Sequence, residues 1–167
     1  MIIYSKTSLA FIKKVRLLAK NILINEMGLQ FKRTRLYYKK YFYPLEFVVF
    51  EHPNILGKYE YQLYRISLNK SLIYQGSDID LKNILRHELC HFICYLEHGH
   101  NHPAHGVEFQ EVCKKFNYDK NVSSASIEIS SLQIDQQRTS QSEVIVTKIK
   151  KLLRLAESDN AHEAEIA

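Results

Sequence analysis

The sequence predicts an α+β domain with an N-terminal helix, a small antiparallel-type sheet and two further helices. Three observations support this class: an amphipathic segment near the start, β-rich runs in the middle, and two amphipathic segments after residue 77. With 167 residues and 46% hydrophobic content, the chain can form one core of ordinary domain size. We predict a globular domain over 1–118, a flexible Ser/Gln-rich linker over 119–142 and a partial helical module over 143–167.

The elements follow from the spacing of apolar residues. Residues 6–27 carry them at helical spacing, and Gly28 is placed to end that helix. Residues 46–51 are typical of a short strand. Residues 58–69 alternate like a strand, but the alternation changes phase near Leu63 and Tyr64. A bulge or break is therefore expected there, so that both apolar sets can face the core.

A third segment carries the pattern His-Glu-x-x-His between clear helix boundaries. Ser77 is placed to cap its start, and Gly99 follows its last turn. His87 and His91 are four residues apart, so both imidazoles project from one face and can hold one zinc ion. Glu88 lies next to this pair and is predicted to be the general base of a zinc hydrolase.

The third zinc ligand is chosen by position along the chain. His98 shares the face of the motif histidines, but seven residues place it about 10 Å from His91 along the helix axis. The chain then turns back into a second amphipathic helix, which offers Glu108 and Glu111 as alternatives. His105 lies where the returning chain first meets the motif helix, so it is the predicted ligand.

Other chemically capable side chains have simpler explanations. The motif pattern can occur by chance in a histidine-rich chain, and the histidines at 98, 100 and 102 are expected to be solvated. Cys94 lies one turn from His91, although a small buried thiol is its expected role. The three cysteines are expected to be reduced thiols in a cytoplasmic protein. No run of apolar residues is long enough to cross a membrane.

Charge is concentrated at the start of the chain. Residues 1–45 contain ten Lys/Arg residues and only Glu26 as an acid, a net charge of 10 − 1 = +9. Many of these basic residues alternate with aromatic residues between 31 and 43. Such a section can neutralise phosphates while its rings stack on unpaired bases, so nucleic acid is an expected partner of region 1–45. The alternative is a solvated face with tyrosines packed on the core.

These motifs together resemble the SprT-like, Spartan-related zinc metalloprotease family. The resemblance rests on residues 87–91 (His-Glu-Leu-Cys-His), residues 105–109 (His-Gly-Val-Glu-Phe) and the preceding segment 64–69, and it covers roughly residues 6–118. It implies a minimal zincin-like fold, zinc bound by His87, His91 and His105, and Glu88 as the catalytic residue. Characterised members cleave proteins that are bound or crosslinked to DNA.

The sequence departs from many relatives after the catalytic domain. They continue into a cysteine-rich zinc ribbon or another DNA-binding module, whereas no cysteine follows Cys113 here. Residues 143–167 instead resemble the start of a short helical module of unknown function. Two hypotheses therefore stay open: a zinc endopeptidase acting on other proteins, or a nucleic-acid-binding or adaptor protein whose zinc site is structural or degenerate.

Overall fold

A computed structural model describes residues 5–75 and 77–123 of the chain, and within them the predicted α+β class is confirmed. The described part contains five α-helices, two short helical turns and six strands. The helices are α1 (Lys6–Asn21), α2 (Leu72–Gln75), α3 (Asp78–His98), α4 (Val107–Lys115) and α5 (Lys120–Ser123). The strands are β1 (Gln30–Lys32), β2 (Arg35–Tyr38), β3 (Tyr41–Pro44), β4 (Glu46–Phe50), β5 (Gly57–Glu60) and β6 (Arg65–Asn69).

The first helix begins and ends near its predicted positions. The Ser5 side chain accepts a hydrogen bond from the Ser8 amide and caps α1. After Asn21 the chain continues as a π-helical turn over Ile22–Glu26. Gly28 follows with φ +66°, a left-handed conformation that glycine adopts without steric cost. One face of α1 and its π-helical turn packs into the core through Phe11, Ile12, Val15, Ala19, Ile22 and Leu23.

Strands β1, β2 and β3 form an antiparallel meander. None of these three strands was predicted from the sequence. Phe31 is paired with Leu36, and Leu36 with Tyr43, on the face turned to the core. Tyr37 and Phe42 are paired on the opposite, solvent-exposed face. The meander thus sorts the aromatic residues of the basic section onto two faces.

The second sheet has the strand order β4-β6-β5 and is mixed. Strand β4 runs parallel to β6, whereas β5 is antiparallel to it. The predicted break near Leu63 and Tyr64 is a reversal of chain direction: a 3₁₀ turn spans Tyr61–Leu63, and Tyr64 is left-handed with φ 47°. The expectation that both apolar sets face the core was wrong for Tyr61 and Leu63, which are 37% and 51% exposed.

Helix α3 is the central element of the candidate site. Ser77 and Asp80 form a capping box at its start, and Gly99 follows it with φ +78°. Its buried apolar face includes Leu81, Leu85, Leu89 and Phe92. Helix α4 follows the loop after Gly99 and packs on α3, as does α5. Helix α5 falls within the predicted linker, most of which lies outside the described residues. None of the described helices is both long enough and apolar enough to cross a membrane.

Candidate metal centre

Two of the predicted ligands project from one face of α3. The Nε2 atoms of His87 and His91 lie 3.1 Å apart. His87 is buried and His91 is partly buried, and Phe109 of α4 packs against both rings. Their four-residue separation on a regular helix places one ring a turn beyond the other.

The loop before α4 brings the third predicted ligand to the same point. The Nε2 atom of His105 lies 3.2 Å from that of His91 and 3.1 Å from that of His87. In a tetrahedral site with Zn–N distances of about 2.0–2.1 Å, ligand nitrogens would be separated by roughly 3.3 Å. The three separations are within about 0.2 Å of that value, so the donor set fits a tetrahedral metal ion with one position left over.

Phe109 supports the three imidazole rings from α4. Its ring stacks on His91 at 4.3 Å between centroids and meets the edges of His87 and His105 at 5.0 Å and 5.1 Å. The Phe109 side chain is fully buried. The aromatic residue four positions after His105 thus packs against all three rings and restricts their movement.

The same environment keeps the histidines neutral. Burial lowers the pKa of His91 to about 3, and the neighbouring histidines contribute to the shift. Burial likewise lowers the pKa of His87 and of His105. A histidine must be unprotonated to bind a metal, so all three side chains are ready to coordinate at neutral pH.

Glu88 lies beside the histidines with its carboxyl group against strand β5. The side chain is buried, and burial raises its pKa to about 8, partly offset by a hydrogen bond that the Tyr59 amide donates. Strand β5 passes so close that a Cβ atom on Gly57 would lie 2.8 Å from Glu88 Oε1. Beside a divalent cation this pKa would fall again, because an opposite charge favours the carboxylate.

The site opens into a cleft of about 520 Å³. Strand β5 and the turn after it form one wall, and α3 with the loop after Gly99 forms the other. Tyr61 and His100 meet from the two walls as a stacked pair, 5.1 Å between centroids and 5° between planes. His87, Glu88, His91 and His105 all line the cleft, so a substrate can reach the candidate site.

The remaining candidates lie away from the three histidines. His98 is exposed, with its Nε2 3.7 Å from a Glu97 carboxylate oxygen. His102 Nε2 lies 3.1 Å from the Gly99 carbonyl and 3.6 Å from the buried Cys94 thiol. Glu108 and Glu111 are not among the metal-capable groups within the described ranges 5–75 and 77–123. Cys90, Cys94 and Cys113 are free and buried.

Three contributions to the site were not predicted. The Tyr59 amide donates to Glu88, Gly57 leaves space for the Glu88 carboxyl, and the Val122 carbonyl contacts His87. An isolated glycine in a strand pattern indicates close approach of another group, so the close packing at Gly57 could have been predicted from the sequence. The two backbone contacts had none, since they depend on how distant segments pack.

Comparison with known families gives two matches. The model of the SprT-like family matches residues 31–138, and that of a protein family of unknown function, DUF2786, matches residues 144–167. The second match falls on the predicted partial helical module, outside the described residues. No curated protein and no solved structure matches the chain.

Proposed function

The chain belongs to the SprT-like family, and from that premise we propose that it is a zinc-dependent endopeptidase. His87, His91 and His105 hold the zinc ion, and Glu88 is the catalytic residue. The observation that carries this proposal is the convergence of three neutral imidazoles beside a buried carboxyl group in an open cleft. The cytoplasmic location of the protein stays a prediction from the sequence.

Bound zinc would supply a Lewis acid that polarises the scissile carbonyl and lowers the pKa of a water. Glu88 accepts a proton from that water and delivers it to the leaving amine. The Tyr59 amide holds the Glu88 carboxyl while this proton moves. The walls of the cleft would hold the substrate chain next to these residues.

The alternative is a nucleic-acid-binding or adaptor protein with a structural zinc site. Structural sites close all four zinc positions with protein ligands, typically including cysteines. In the part of the chain covered by 5–75 and 77–123, the metal-capable group contains three histidines and no fourth ligand. A buried glutamate that lines the same cleft as the three histidines favours the enzyme.

The deciding experiment compares the wild type with Glu88→Gln. Glutamine keeps the size of the side chain, so zinc stoichiometry should stay at one per chain. Cleavage of an unstructured protein should fall by about 10²–10⁴-fold, because the general base is lost. Equal cleavage by both proteins would rule out the proposed mechanism. Measuring cleavage by both proteins with and without single-stranded DNA tests whether substrates are presented on nucleic acid.

We further propose that the exposed face of the meander β1–β3 contacts single-stranded nucleic acid. The Tyr37 and Phe42 rings lie 5.0 Å apart at the centre of this face. Five basic residues occupy residues 30–44, which contain no acid: Lys32, Arg33, Arg35, Lys39 and Lys40. All five are exposed, and none forms an ion pair with another described residue. Phosphates would meet uncompensated positive charge, and bases would stack on the ring pair.

The turns of the meander support this proposal. Lys39 and Lys40 form the β2–β3 turn, with φ of 44° and 71°. Asn-Gly is the preferred pair in such a turn, because other residues are strained at positive φ. Arg33 in the β1–β2 turn has φ 58°. Basic residues thus occupy turn positions whose positive φ is unfavourable for them. Such a cost in stability is expected where the side chains serve to bind a ligand, here a nucleic acid.

The test uses two variants of this face. Lys39→Asn/Lys40→Gly should raise the free energy of unfolding and reduce the salt dependence of oligonucleotide binding. Tyr37→Leu/Phe42→Leu should weaken binding of a thymidine oligonucleotide by about tenfold or more, because stacking is lost. Tyr74→Leu, at an exposed tyrosine on α2, is the matched control. Unchanged oligonucleotide binding in the Tyr37/Phe42 variant would contradict the proposal.

A further inference from the structure

Helix α5 makes a direct contact with a predicted zinc ligand. His87 Nδ1 lies 2.6 Å from the Val122 carbonyl oxygen. Both residues are buried, so water does not compete for this hydrogen bond. A carbonyl oxygen can only accept, which means that Nδ1 carries the hydrogen and Nε2 carries the lone pair. The Val122 carbonyl therefore sets the tautomer of His87.

The same contact aims the His87 ring. With Nδ1 held by Val122, the Nε2 atom faces the Nε2 atoms of His91 and His105. Among the described residues, no backbone carbonyl contacts Nδ1 of His91 or of His105 in the way that Val122 contacts His87. Packing against Phe109 orients the other two rings.

A short reversal after α4 directs the chain back to α3. Asn117 adopts φ 56°, and the Tyr118 amide donates to the Cys113 carbonyl at 3.0 Å. The Tyr118 hydroxyl donates to Glu26 at 3.2 Å. Glu26 in turn accepts two hydrogen bonds from Arg86 of α3, at 2.8 Å and 2.9 Å. Glu26 thus links Arg86, the residue before His87, to Tyr118, which lies four residues before Val122.

Two hydrogen bonds and one buried side chain contribute to holding helix α5 in place. An Asp119 side-chain oxygen accepts from the Val122 amide at 3.3 Å, and Gln110 of α4 donates to the Ser123 carbonyl at 3.2 Å. The Val122 side chain is 3% exposed and supplies the apolar contact. A helix of four residues has little stability of its own, so these contacts decide whether the Val122 carbonyl stays in place.

We infer that residues 120–123 are part of the metal centre and that Val122 is a positioning residue for His87. The inference rests on the proposed zinc site and extends the catalytic unit beyond the predicted boundary at residue 118. Partners that orient a ligating histidine typically contribute 10–100-fold to metal affinity. Zinc binding should therefore depend on a segment that supplies no ligand.

The test places Val122→Asn in the full chain and measures the zinc Kd by competition with a chelator. Asparagine places a polar group at this buried site, which favours release of α5. The zinc Kd should rise by about 10–100-fold. In ¹⁵N spectra of the metal-free protein, the His87 signals should lose the pattern of a single Nδ1–H tautomer. Gln110→Leu removes the other tether and should shift both readouts in the same direction.

Val107→Asn is the matched control, because it makes the same change at a position that is 70% exposed. Its zinc Kd and His87 signals should equal those of the wild type. Unchanged zinc Kd in both Val122→Asn and Gln110→Leu would overturn the inference while leaving the zinc site intact. Failure of the wild type to bind zinc would instead overturn the proposed function, so the two failures are distinguishable.

Discussion

Gly57 lies where strand β5 passes closest to the Glu88 carboxyl group. A Cβ atom there would be 2.8 Å from Glu88 Oε1 and 2.8 Å from Ile84 Cγ2. Contacts this short require the strand, the Glu88 side chain or the Ile84 side chain to shift. The Tyr59 amide, two residues along the same strand, holds that carboxyl group. The position of the proposed base is therefore set by the backbone of β5.

Gly57→Ala should reduce kcat/KM by about 10–100-fold, because small displacements of a catalytic group are costly. The zinc Kd should stay within about twofold of wild type, since the atoms nearest to an added Cβ belong to Glu88 and Ile84 and not to a histidine. Steady-state kinetics and chelator competition on the same preparation measure the two quantities. Gly28→Ala is the matched control: it strains φ +66° in open space and should lower stability without changing kcat/KM. A Gly57→Ala enzyme with wild-type kcat/KM would show that β5 does not position Glu88.

At the scale of elements, the sequence predicted those helices and strands whose ends are marked by residues close to them in the chain. Helix α3 was predicted because Ser77, Asp80 and Gly99 mark its ends within the sequence. The prediction that His98 lies apart from the two motif histidines followed from helix geometry alone, and the metal-capable group does not include it. The third histidine also joined the other two as predicted, because a short loop leaves little choice of position.

The meander β1–β3 was missed for an equally physical reason. Its strands have three or four residues, and the Lys39–Lys40 turn lacks the Asn-Gly signature of a tight hairpin. Mixed basic and aromatic residues suit a binding loop as well as a strand with one exposed face. The parallel pairing of β4 with β6 and the contact from Val122 to His87 depend on distant segments. No local pattern encodes such contacts.

At the scale of the whole described domain, the candidate metal centre joins segments that are distant in sequence. Helix α3 supplies His87 and His91, the loop before α4 supplies His105, and α5 holds His87. A metal that binds only this arrangement stabilises the folded state by RT ln(1 + [Zn]/Kd). At a zinc concentration about 100-fold above Kd, this amounts to about 2.7 kcal/mol. Removing the metal should therefore loosen the contacts among all three segments.

We expect zinc to raise the Tm of the chelator-treated protein by on the order of 10 °C, which follows from that free energy for a domain of this size. Differential scanning calorimetry with and without added zinc measures the shift. His105→Ala should abolish most of it, because two ligands on one helix leave the ion incompletely held. His98→Ala should retain the full shift, since His98 is exposed and is not part of the group of three histidines. The reverse outcome, a shift lost in His98→Ala and kept in His105→Ala, would assign the third ligand to α3. It would also mean that the loop before α4 approaches the motif for a reason other than metal binding.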